Sequence, residues 1–193
     1  MATLDWSTVT LVTVPGLGNS GPEHWQSRWE RAYPRTLRVV QKDWDNPVRP
    51  VWVAALEHTL AGVAGQVILV GHSAGAMTIV HWAAGNSRPV LGALLVAPPD
   101  FEAEIPGLPS PELAGAGWLP IPRVPLSFPA VVVASTNDSF ATPSRSAGMA
   151  GAWGARCVSI GDAGHINAEA GFGPWPEGER ILEELATAGI RRS

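Results

Sequence analysis

Three residue types that together make an activated nucleophile occur along this chain: Ser73 in GHSAG, Asp138 in STNDSF and His165 in DAGHIN. A serine hydroxyl alone is a weak nucleophile. It attacks an acyl carbonyl when a histidine takes its proton and a carboxylate holds that histidine in the right tautomer. Ser73 is centred in Gly71-His72-Ser73-Ala74-Gly75, directly after the apolar run QVILV. A tight strand-to-helix turn of this kind exposes the hydroxyl, and the residues two before and two after must be small because backbones approach closely there. The helix that follows aims its N-terminal N–H groups at developing negative charge. His72 is adjacent to Ser73, so its ring is expected to orient or pack locally and not to act as base.

The partners should come from loops after later strands. Asp138 follows AVVVAS, and Asp100, after VLGALLV, competes with it for the same edge. Asp138 is preferred because its turn runs directly into a capped helix. Asp162 is expected to shape the loop of the base, and Asp43 and Asp45 to lie at the sheet's edge. His165 follows RCVSI, whereas His24, His58 and His81 fall within helical segments. The resulting order of nucleophile, acid and base is one that parallel-sheet enzymes with a serine elbow use. Because the base must be neutral, activity should fall as the pH drops through its pKa.

An oxyanion site needs two backbone N–H groups. Ala74, after the nucleophile, should supply one. The loop VPGLGNSGPEHW should supply the other, from Leu17 or, second, Gly18. A glycine-rich loop after a first strand also raises dinucleotide binding, but this one continues into Pro22 and no acid ends the second strand. Trp25, Phe101, Trp118 and Ile166 are candidates for the substrate pocket, with Trp25 and Trp118 equally acceptable as core or interface residues. No HExxH, paired cysteines or His–carboxylate cluster is present, so neither a metal nor another cofactor is expected.

The elements that must position these residues are strand-like runs at 8–14, 36–40, 66–70, 90–96, 130–135 and 156–160, separated by helical segments. The runs are rich in Val, Ile and Leu and mostly continuous, as strands buried on both faces are. Alternation of strand and helix predicts an α/β protein: a three-layer αβα sandwich around a mostly parallel sheet of about six strands. Ligands in such sheets bind beyond the carboxyl ends of the strands, where Ser73, Asp138 and His165 all fall. Residues 98–129, PPDFEAEIPGLPSPELAGAGWLPIPRVPLSFP, are too proline-rich for a crossover helix. They read as an excursion over the active-site edge or as a surface loop stiffened by prolines.

A chain of 193 residues, 46% hydrophobic and 16% charged, suits one domain over 1–193. A net charge of −4 points to neither nucleic acid nor an anionic membrane as partner. The start, MATLDWSTVT, has no basic region followed by a long apolar run, and the single cysteine, Cys157, reads as a buried strand residue. Together these favour a cytoplasmic location.

With these residues in place the chain resembles the small α/β-hydrolases of the retinoblastoma-binding protein nine and YdeN type, a serine hydrolase family. The resemblance spans nearly the whole chain and rests on VPGLGNSGPEHWQSRWE, QKDWDNPVRPVWVAAL, LVGHSAGA, STNDSFAT and GHINAEAGFGPWPEG. It implies nucleophile, acid and base at Ser73, Asp138 and His165, little or no cap domain, and activity on small acyl esters. One member is named for binding a pocket protein. That property is not carried over, since no LxCxE-like segment occurs here, and a protein partner is unknown. The reading is a serine hydrolase acting on small-molecule acyl esters through an acyl-enzyme. Acyl transfer by the same residues, or a protein-binding module on a hydrolase fold, are the alternatives.

Overall fold

The computed structural model describes residues 4–103 and 115–191. Six strands form one sheet: β1 (Val9–Val14), β2 (Thr36–Arg38), β3 (Gln66–His72), β4 (Gly92–Val96), β5 (Ala130–Ala134) and β6 (Arg156–Ser159). All pairings are parallel, in the order β2-β1-β3-β4-β5-β6. Five helices are described: α1 (Trp25–Ala32), α2 (Arg49–Ala61), α3 (Ala74–Ala84), α4 (Pro143–Ala152) and α5 (Pro176–Ile190).

The central strands are buried on both faces, and their side chains alternate between two cores. Leu11, Ile68, Val70, Leu94, Val96, Val131 and Val133 point to the side covered by α1 and α5, where Trp25, Trp29, Ile181 and Leu185 meet them. Val12, Leu69, Leu95 and Val132 point to the opposite side, covered by Trp52, Leu56, Met77, Ile79 and Met149 of α2, α3 and α4 and by Trp153, the C-cap of α4. The result is the expected αβα sandwich. Register keeps the carboxyl ends level: Val14 pairs with Gly71, and His72 with Val96.

Local chemistry sets the helix starts. Thr142 caps α4 by accepting the N–H of Arg145 at 3.3 Å, with Pro143 at the first turn, and Pro50 opens α2. α1 begins only at Trp25, because His24, expected within a helical segment, serves as its N-cap.

The edge strands depart from expectation. β2 is only Thr36–Arg38, and three of the four residues of β6 are exposed, Cys157 among them. The expectation of a buried Cys157 is corrected: β6 has a neighbour on one side only, so one of its flanks and part of its faces meet solvent.

The described part of 98–129 packs down onto the core. Trp118 is fully buried between Trp52 and Phe101, with ring centroids at 6.1 and 5.3 Å, and its indole donates to the carbonyl of Pro47 at 2.6 Å. Residues 104–114 of that excursion lie outside the described residues. No described helix is long and apolar enough to cross a membrane.

Candidate active site

The chain leaves β1 towards β2 on one side and returns through β3 on the other. The crevice at this reversal opens at the carboxyl ends of β1 and β3. Ser73 sits there, between the end of β3 and the start of α3, at φ 53° and ψ −126°. A non-glycine residue in such a conformation stores roughly 1–3 kcal/mol of strain, held by its surroundings. Here the Ser73 N–H donates to Val96 at 2.9 Å while its carbonyl accepts the N–H of Ala76 at 2.9 Å. The turn closes only because Gly75 has no side chain: a Cβ there would lie 1.9 Å from the carbonyl oxygen of Val14.

The structure brings Ser73, His165 and Asp138 into one hydrogen-bonded line. His165 Nε2 is 2.8 Å from Ser73 Oγ. His165 Nδ1 is 3.0 Å from both carboxylate oxygens of Asp138. A carboxylate can only accept, so the Nδ1 proton faces Asp138 and Nε2 is left to accept from the serine hydroxyl. The Asp138 side chain is 3% exposed and also accepts the N–H of Phe140 at 2.9 Å. Asp100 is drawn elsewhere. Arg145 of α4 holds its two oxygens at 2.6 and 2.7 Å. Asp162 accepts the hydroxyl of Thr136 and so ties the loops of Asp138 and His165 together.

The His165 loop is clamped from beneath. His72 donates Nε2–H to the carbonyl of His165 at 2.8 Å, and Trp25 donates its indole N–H to the carbonyl of Ile166 at 2.9 Å. Burial, reinforced by neighbouring His165 and His24, pushes the His72 pKa well below the usual imidazole range. It stays neutral and keeps donating. Asn137 accepts the Gly164 N–H at 2.7 Å and Ser135 accepts the Ala163 N–H at 2.9 Å, joining the segment after β5 to the same loop.

On the other flank, Gly16 presses the loop after β1 against the elbow. A Cβ there would stand 2.8 Å from Ser73 Cβ and 2.9 Å from the carbonyl oxygen of His72. The N–H of Gly18 donates to Trp44 at 3.0 Å. The N–H groups of Leu17 and Ala74 meet no acceptor among the described residues, which favours Leu17 over Gly18 as a donor to a bound ligand.

Above this line lies a cavity of about 460 Å³, within the usual range for small-molecule sites. Ser73 and His165 line it, with Leu17, Pro47, Phe101 and Phe140. Of the four residues expected in the pocket, only Phe101 lines it. Trp25, Trp118 and Ile166 are fully buried beneath the site, and that expectation is corrected. The indoles of Trp25 and Trp118 donate to the carbonyls of Ile166 and Pro47 and pack in aromatic clusters. Ile166, at φ 51°, turns into the core beside α1. The sequence reading missed Phe140, whose ring sits 4.3 Å from that of His165, and His24 and Asn167 in the cavity wall. Their signal was position: each lies within two residues of Trp25, Asp138 or His165.

A serine hydrolase family profile matches residues 11–184. A YdeN-like hydrolase from Pectobacterium atrosepticum is 37% identical, with a TM-score of 0.83 over 95% of this chain and 93% of that one. The ydeN gene product of B. subtilis is 18% identical, with a TM-score of 0.74 over 93% of this chain and all of that one. Est1E from Butyrivibrio proteoclasticus, solved with ferulic acid bound, shares the fold at 13% identity and a TM-score of 0.70, over 94% of this chain and 88% of that one. Among curated proteins, none matches the chain.

Proposed function

The chain belongs to the serine hydrolase family, with an α/β-hydrolase fold of the YdeN type, and we propose that it hydrolyses small carboxylic esters through an acyl-enzyme on Ser73. The observation that carries this reading is the unbroken hydrogen-bonded line from Asp138 through His165 to Ser73 at the base of the cavity.

Ser73 Oγ attacks the ester carbonyl carbon as its proton passes to His165 Nε2. The carbonyl oxygen becomes an oxyanion and accepts from the N–H groups of Ala74 and Leu17. The C–O bond to the alcohol breaks, and His165 returns the proton to the departing oxygen. Water then repeats the sequence on the acyl-serine, releasing the acid and restoring Ser73. Asp138 keeps the Nδ1 proton in place and stabilises the imidazolium formed twice in each cycle. Each oxyanion donor contributes roughly 3 kcal/mol to the transition state.

A fluorophosphonate probe tests this directly. Labelling of the wild type that disappears in Ser73→Ala, together with hydrolysis of 4-nitrophenyl butyrate, supports it. A wild-type protein that takes no label overturns it.

A further inference from the structure

The proposed oxyanion donor, the N–H of Leu17, stands in a turn that is held from outside the cavity. The N–H of Asn19 donates to the carbonyl of Gly16 at 3.1 Å, which closes a four-residue turn. Gly18, third in that turn, takes φ 71°, a conformation glycine adopts without steric cost. Such a turn uses the N–H of its fourth residue and leaves that of its second, here Leu17, to an outside acceptor.

Asn19 is where the turn is fixed. It is exposed, yet it stands at φ 67°, a left-handed conformation that a non-glycine residue keeps when its surroundings hold it. Its side-chain oxygen accepts the Ser20 N–H at 2.7 Å and an N–H from Nη1 of Arg38 at 2.9 Å. Nη1 also donates to the Ser20 carbonyl at 3.0 Å, and Nη2 to the Ser27 hydroxyl at 2.6 Å. Nε lies 2.9 and 3.1 Å from the two oxygens of Glu30, which also accepts the hydroxyl of Thr13. The Arg38 and Glu30 side chains are only 22% and 19% exposed. One guanidinium thus braces the turn against α1 and, through Glu30, against β1. Arg38 does not line the cavity itself.

We propose that Arg38 is a positioning residue for the oxyanion site: by clamping Asn19 and Ser20 against Glu30 it sets where the Leu17 N–H stands relative to Ser73. It touches neither substrate nor Ser73 and acts through the turn. The inference rests on the acyl-enzyme reading above, with Leu17 as a donor.

Arg38→Lys tests it. The variant keeps a charge for Glu30, but one ammonium nitrogen cannot replace a planar fork that serves Asn19, Ser20, Ser27 and Glu30 together. With 4-nitrophenyl butyrate, kcat should fall by about 10²-fold and KM change by less than about twofold, because a misplaced donor is missed by the transition state more than by the bound ester. The inhibition constant of a trifluoromethyl ketone, whose adduct with Ser73 carries an oxyanion at the same place, should rise in parallel with the loss of kcat/KM. Asn19→Gly keeps the left-handed backbone and deletes the accepting oxygen. It should show the same pattern more weakly, and it decides the question where Arg38→Lys does not fold. Wild-type kcat and wild-type affinity for the ketone in the folded variant overturn the role of Arg38. A fall in kcat that leaves the ketone affinity unchanged overturns it equally. A wild type that neither cleaves the ester nor binds the ketone overturns the ester reading itself, so the two failures are distinct.

Discussion

His72 donates its Nε2–H to the carbonyl oxygen of His165 at 2.8 Å, so the residue beside Ser73 holds the backbone of the proposed base. The elbow and the base loop, 92 residues apart at Ser73 and His165, are joined in two places: above by the Ser73–His165 bond and below by this one. Substituting His72→Ala removes the lower joint and leaves a buried carbonyl unpaired. The expected result is a fall in kcat of about 10²-fold, the scale of an ångström-sized misplacement, with KM changed much less. Steady-state kinetics check it. Equal kcat in the variant would mean that the base loop is held without His72.

The two candidate acids separate cleanly. Asp138→Asn should lower kcat by about 10⁴-fold by losing the tautomer that Asp138 fixes. Asp100→Asn should act on stability, because Asp100 is 4% exposed and paired with Arg145. Arg145 is partly solvated and keeps Glu102 at 2.8 Å, so the loss should be modest, about 1–2 kcal/mol. Urea unfolding beside kcat measurements distinguishes them, and a larger kcat loss in Asp100→Asn would reverse the assignment.

The close approaches predict different failures for two glycines. A methyl at Gly75 meets backbone at 1.9 Å, and Gly75→Ala should destabilise the fold by about 4 kcal/mol or more. Gly16→Ala meets the Ser73 Cβ at 2.8 Å and should displace the serine, reducing fluorophosphonate labelling more than it reduces Tm.

The oxyanion assignment concerns a backbone N–H, so it calls for a backbone change. Replacing the amide of Leu17 by an ester linkage through semisynthesis should lower kcat by about 10²–10³-fold. The same replacement at Gly18 removes only its bond to Trp44 and should cost far less. Reversal of that order would move the donor to Gly18.

Buried histidines make stability acid-sensitive. Burial lowers the pKa of both His24 and His81 to about 4, against about 6.5 in an unfolded chain. Between these values the unfolded state binds more protons. The stability they support is full above about pH 6.5 and is lost as the pH falls towards 4. Urea unfolding at pH 7 and pH 4.5 should show that loss. His81→Gln keeps a donor for the Trp118 carbonyl, now 3.1 Å from Nε2, and should flatten the pH slope by up to one proton. An unchanged slope would show that His81 titrates normally.

What the sequence determined by itself is what neighbouring residues dictate to one another. Continuous Val, Ile and Leu runs mark strands buried on both faces, Gly71 and Gly75 permit the turn at Ser73, and Thr142-Pro143 starts α4. From these follow the alternation, the parallel sheet and the edge at which Ser73, Asp138 and His165 arrive. Only the tertiary structure decided which side chains meet there. Asp100 and Asp138 both follow strands at that edge, with Asp138 preferred for its turn into a capped helix, and the structure shows Arg145 reaching across from α4 to take one while His165 takes the other. Trp25 and Trp118 look like pocket residues until their indoles are seen paired to carbonyls below it. His24 reads as a helix residue until it is seen capping α1 from the cavity wall. Periodicity and turn chemistry act over a few residues, whereas these pairings depend on strand order and on loops brought together from across the chain.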